Sequence, residues 1–413
     1  MRSLNKNISF LLATILMATI SSCSDSSEEL KSEIPNAVCL TLNIRPLSRD
    51  DAPELEDEET PDEYNIEKIK SVRLVILDNN GRIEKTAYFE YEEPRLPDRQ
   101  NDGWIETLDF NLTGGKKKIY LIANESSIIQ PLSERPGDLP DDDSLKDRLN
   151  RFIPGNSGFE QFITSLYFNP DYSKLLPYSS FYELNLSQTA ETYDLYLVPV
   201  ATKFQINFYN YRSEEVVFSE VTIQKIADYN YLIPHLSDDE LNKNDLYWVD
   251  WLKQVSDETS NNPDLNDNEN SNDLINSNWG WITGYSLPDA AIHSEYKLIE
   301  ESETWTVPYV KNETIGAADP GVLNTDPIYL PESRCIENQN SQKYAIKFVI
   351  KPSVTSPEEK IFVKEIEGLA SWFRNTYLYI DVDMESGAED IYIEIKAWRK
   401  KEPVYGTISP EDL

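Results

Sequence analysis

Histidine, the side chain best suited to acid–base or metal chemistry near neutral pH, occurs twice in this 413-residue chain, at His235 and His293. Neither has a His or Cys partner at the spacings that build a zinc site, so both read as surface or core residues. Asp264–Ile275, DLNDNENSNDLI, opens like a calcium loop. It then departs from the pattern: Glu269 stands where the turn needs glycine, and Ile275 where a bidentate glutamate closes the site. It reads as a solvated loop. Glycosidic hydrolysis needs two carboxylates, but with 73 Asp and Glu residues any such pair is uninformative. No glycine-rich phosphate loop appears. The expectation is a non-enzymatic chain with no cofactor and no metal. The net charge of −35 repels phosphate backbones and speaks against a nucleic-acid partner. Tyrosine (24) and tryptophan (8) can form a sugar-binding platform, but aromatics at alternating strand positions are more often core.

The N-terminal residues carry an address. Arg2 and Lys6 form a positive start, and Ile8–Ile20 is an apolar stretch too short for an ordinary membrane span. It ends in Ile20-Ser21-Ser22-Cys23, which resembles a bacterial lipoprotein cleavage site with Cys23 as the lipidated residue. Residues 1–22 are then the signal peptide. The acidic Ser-Asp-Ser-Ser-Glu-Glu that follows is similar to the surface-export signal of Bacteroidetes lipoproteins. With Cys23 lipidated, Cys39 and Cys335 remain. They can pair in an oxidising compartment, and they also read as two small buried apolar residues.

The scaffold for any such site reads as a succession of strands. Val38, Leu40, Leu42 and Ile44 point one way and Cys39, Thr41, Asn43 and Arg45 the other, the period-2 pattern of a half-buried strand. Pro46 ends it, and an acidic segment follows. Further strands are expected at Ser71–Leu77 (with an Asn-Asn-Gly turn), Trp104–Leu112, Lys118–Ala123, Glu191–Leu197, Thr202–Tyr209 and Val216–Ile226. The C-terminal half adds Tyr344–Ile350, Lys360–Lys364, Tyr377–Val382 and Ile391–Trp398. Helices are expected over Asp143–Ile153 and Gly158–Phe168. Leu236–Asn278, rich in Asp and Asn, reads as a surface excursion. The fold class is all-β, and the length suits two domains, divided near Pro199 into 50–199 and 200–413.

Four motifs together resemble the FimA/Mfa-like fimbrillins of Bacteroidales: GGKKKIYLIANES (Gly114–Ser126), IYLPES (Ile328–Ser333), FRNTYLYIDV (Phe373–Val382) and IYIEIKAW (Ile391–Trp398). The basic residue usual near that family's interdomain strand is matched only in part by VPVATKF. The resemblance implies two tandem transthyretin-like β-sandwich domains with a few short helices. It also implies a lipoprotein precursor that reaches the cell surface, anchored in the outer membrane through Cys23, within a propeptide of residues 23–49. Cleavage after an arginine behind the first strand would free that strand. Here the removable strand is Val38, Leu40, Leu42 and Ile44, and the processing site is Arg49–Asp50. Arg45 is disfavoured because Pro46 follows it. The opened groove would then accept a strand of another fimbrial subunit by β-strand addition. The C-terminal RKKEPVYGTISPEDL alternates only weakly as a donor, which suits a tip or accessory subunit that accepts a strand and need not donate one. A tip, accessory or anchor lipoprotein is the nearest alternative within the family, with host or bacterial surface ligands among its expected partners. A surface glycan-binding lipoprotein is the alternative from another class, and a glycosidase comes third.

Overall fold

The computed structural model describes residues 37–46, 66–95, 106–128, 131–133 and 144–235 (except 170, 173 and 188). Beyond these it describes 288–291, 294–299, 303–309, 320–334, 344–351, 358–366, 371–385 and 392–399. Cys23, Arg49, Asp50, His293, Cys335, Trp104, the Leu236–Asn278 excursion and the C-terminal segment lie outside these residues. No helix among the described residues is long and apolar enough to cross a membrane.

The protein is all-β. The first strands are β1 (Ala37–Pro46), β2 (Ile69–Leu77), β3 (Ile83–Arg95), β4 (Glu106–Thr113) and β5 (Gly115–Ala123). They are followed by β6 (Pro131–Ser133), β7 (Leu166–Phe168), β8 (Tyr178–Leu186) and β9 (Ala190–Pro199). One seven-stranded sheet runs β3-β2-β5-β8-β9-β1-β4. Its ladder nearly breaks between β8 and β9, which pair only at Tyr178–Pro199 and Ser179–Val198. Strands on both sides of that break bury side chains in one core: Leu74 and Leu121 from one half, Leu40, Leu42 and Leu195 from the other. The two halves therefore cover each other's apolar faces, as sheet-on-sheet packing requires. Strands β4 and β5 are consecutive yet belong to opposite halves. The chain crosses at Gly114-Gly115, where Gly115 has φ +105°, a conformation that side-chain-bearing residues rarely adopt.

The second group begins with β10 (Thr202–Asn210), β11 (Val216–Gln224), β12 (Asn230–Tyr231), β13 (Glu295–Lys297) and β14 (Trp305–Val307). Then come β15 (Gly321–Asn324), β16 (Ile328–Leu330), β17 (Ser333–Arg334) and β18 (Ala345–Lys351). The last are β19 (Lys360–Glu365), β20 (Ser371–Trp372), β21 (Tyr377–Glu385) and β22 (Tyr392–Arg399). Sheet β15-β10-β21-β22 and sheet β13-β11-β18-β19 enclose a second core rich in rings, including Phe204, Phe208, Phe218, Phe348 and Trp372. Val200 and Ala201 belong to the first core, Phe204 to the second.

The helices are shorter than the periodicity implied. One covers Leu145–Leu149, capped by the Ser144 side chain, and one covers Phe159–Thr164. The expected helix to Phe168 is corrected: Leu166–Phe168 is strand β7, because its backbone pairs with β6 on one side and β12 on the other. Those long-range ladders override the i, i+3 spacing of the apolar residues.

Candidate functional site

The first strand holds an unusual place for a segment so early in the chain. It is interior to its sheet, antiparallel to β4 over eight residue pairs and parallel to β9 over eight more. Among the described residues, β1 is the ladder partner of β4, and β9 pairs otherwise only with β8 at its last two residues. Strand β1 therefore fills the slot between β4 and β9, and without it neither would have a sheet to belong to over most of its length.

The inward face follows the sequence reading. Leu40, Leu42 and Ile44 are 0% exposed and Val38 is 4% exposed. Leu40 lies level with Phe110 and Glu191, Leu42 with Leu108 and Tyr193, and Ile44 with Glu106 and Leu195. Each buried aliphatic side chain stabilises the seated strand by roughly 1.5–3 kcal/mol. Glu191 accepts hydrogen bonds from the Ser187 amide and the Tyr193 hydroxyl. That bond to Glu191, followed by burial, holds the Tyr193 hydroxyl well above the usual phenol range, pushed up to about 12.

The outward face is a row of paired polar groups. Thr41 Oγ1 donates to Asp109 Oδ1 at 2.6 Å, and Asn43 Nδ2 donates to Asp194 Oδ1 at 2.9 Å. Thr107 Oγ1 donates to Asn43 Oδ1 at 3.2 Å. Arg45 donates to the Tyr196 hydroxyl and lies over the Tyr196 ring at 4.5 Å from its centroid. Cys39 sits in the same row, half-buried between Asn111 and Ala190, rather than in the core.

The residues of the family-like motifs serve as structural joints. Asn124, at φ 55°, accepts the Lys70 amide at 2.7 Å and donates to the carbonyls of Lys68 and Leu176. The neighbouring Glu125 forms a buried two-pronged pair with Arg73 at 2.7 Å. Glu332 of IYLPES meets Arg374 of FRNTYLYIDV, both with fully buried side chains. Arg374 also donates to the carbonyls of Tyr231 (2.7 Å) and Leu232 (3.0 Å) and to Ser179 Oγ (3.3 Å). Because Ser179 lies on β8 and Leu232 packs into the first core, this arginine of the second group of strands ties the two together. Lys203 adds a second tie: it pairs with Glu67 at 3.1 Å, and Glu67 also accepts the Tyr329 hydroxyl. Sequence reasoning noted these motifs but not that they meet. The signal was a Glu and an Arg each set in apolar surroundings.

His235 stacks on Tyr231 with ring centroids 3.7 Å apart. Among the described residues, no group of His, Cys, Asp and Glu is gathered as a metal site.

No protein-family model matches the chain, and no curated sequence is similar to it. Solved structures resemble it in fold. One is the tip fimbrial protein Mfa3 of Porphyromonas gingivalis with a C-terminal truncation, 11% identical, with a TM-score of 0.45 over 88% of this chain and 99% of that one. Another is a fimbrial assembly protein of Parabacteroides distasonis, 11% identical, with a TM-score of 0.38 over 87% of this chain and 94% of that one. At such identities and scores the functional reading has to come from the groove itself.

Proposed function

We propose that this chain is a subunit of a cell-surface fimbrium in which β1 is an internal plug, later replaced by a strand of a neighbouring subunit. The observation that carries the reading is the position of β1. It is the central strand between β4 and β9, with four apolar side chains buried, yet it precedes an acidic, proline-containing stretch that separates it from β2. Strand β1 can leave without breaking any ladder among the described strands other than its own two. What it leaves is an apolar slot flanked by two rows of unpaired backbone groups, the kind of site that β-strand addition fills.

In this reading the precursor is lipidated at Cys23 and held at the outer membrane. Cleavage between Arg49 and Asp50 severs residues 23–49 from the two domains, 50–199 and 200–413. A tip or accessory subunit would use the same groove as an acceptor. The test is Arg49→Ala in the full-length chain expressed on cells. It should give a lipidated, unassembled protein, and normal assembly of that variant into fibres would rule out cleavage there.

A further inference from the structure

Resting on the reading of β1 as a replaceable plug, we propose that the groove also selects its occupant by the strand's outer face. The selected partner is a strand carrying uncharged hydrogen-bond donors or a cation where β1 carries Thr41, Asn43 and Arg45, and strands with carboxylates there are refused. The inward face asks only for apolar side chains at alternate positions, a demand many strands meet. The rim asks for more. Asp109 of β4 accepts from Thr41, and Asp194 of β9 accepts from Asn43, one carboxylate on each wall of the slot. At the Pro46 end Tyr196 presents its ring face and hydroxyl to the Arg45 guanidinium. Of these three positions two thus face a carboxylate and one an electron-rich ring, while Cys39, the fourth outward residue, lies between Asn111 and Ala190.

The physical basis is the cross-strand pair. Opposite partners that hydrogen-bond or attract stabilise a ladder, and like charges directly opposite destabilise it. A glutamate in place of Thr41 or Asn43 would lose a donor and set one carboxylate against another. Such a rim filters strands without touching the apolar slot. It has particular value in a chain of net charge −35, because it disfavours insertion of acidic segments from the chain's own copies.

The experiment uses the full-length chain nicked after residue 49, so that β1 stays seated until displaced. Two labelled synthetic peptides compete for the groove: residues 37–46 as they stand, and the same segment with Thr41→Glu and Asn43→Glu. The unmodified peptide should be taken up with release of the original segment. The acidic one should bind about tenfold more weakly or worse at low salt, with the gap narrowing as salt rises. In a nicked chain carrying Asp109→Lys and Asp194→Lys the preference should reverse. Because lysines could disturb the strands, Asp109→Asn with Asp194→Asn is the second variant, and it should bring the two peptides to within a few-fold of each other. Equal uptake of both peptides by the unmodified chain would overturn the rim filter while leaving the plug intact. Uptake of neither would overturn the plug reading and the filter with it.

Discussion

Leu42→Asp places a carboxylate at the middle of the plug, and its consequences follow from the geometry. Leu42 is 0% exposed and level with Leu108 on β4 and Tyr193 on β9. Removing the leucine side chain costs about 2–5 kcal/mol as a large-to-small core change. Leaving a charge there without a partner adds a few kcal/mol more, or raises the new carboxyl's pKa until it takes up a proton. The total is comparable with the whole stability of an ordinary domain, about 5–15 kcal/mol. At about 2–4 °C per kcal/mol for a domain of this size, the melting temperature of the intact chain should fall by roughly 10–20 °C. The loss should shrink at acid pH, where the introduced group is neutral. The informative step is the rescue. The variant is nicked after residue 49 and given the unmodified 37–46 peptide, and thermal melts are followed by circular dichroism before and after exchange. The damage lies on the strand that leaves, so the exchanged protein should melt like the unmodified one. If the deficit persists after exchange, β1 is not a separable plug.

Other outcomes can be checked on the intact protein. Arg374→Ala strands the buried Glu332 carboxylate and several carbonyls, and should cost about 3–5 kcal/mol in chemical denaturation; an unchanged midpoint would show that this junction contributes nothing. Gly321→Ala sets a Cβ 1.8 Å from the Pro308 carbonyl oxygen, so the β14–β15 region must shift and the melting temperature should drop; an unchanged melt would contradict that packing. The Tyr193 hydroxyl, with its pKa raised from 10.0 to about 12, contributes stability that is fully present below about pH 10 and lost as pH rises toward 12. In tyrosinate absorbance Tyr193→Phe should remove one of the tyrosines that titrate late; loss of a group titrating near pH 10 instead would remove the Glu191 bond from the account.

How much of this was legible in the sequence depended on range. The alternation of Val38, Leu40, Leu42 and Ile44 is local, and it named both the strand and the face it buries. The partners of that strand are not local. Thr41 meets Asp109 and Asn43 meets Asp194, 68 and 151 residues away, and no periodicity in one segment specifies such a pairing. The acidic rim was hidden for that reason among many other acids. Leu166–Phe168 failed as a helix because its ladder partners, too, lie in distant segments. The motif residues Glu332 and Arg374 were visible as a pattern. That they form one buried joint needed the fold, since their separation in sequence is spanned by several strands.

The most direct test of the central claim is the first residue of the protein recovered from assembled surface fibres, read by N-terminal sequencing or intact mass. The account predicts Asp50, with residues 23–49 absent and β1 replaced. Fibres built from chains that still begin at a lipidated Cys23, with β1 in place, would contradict it.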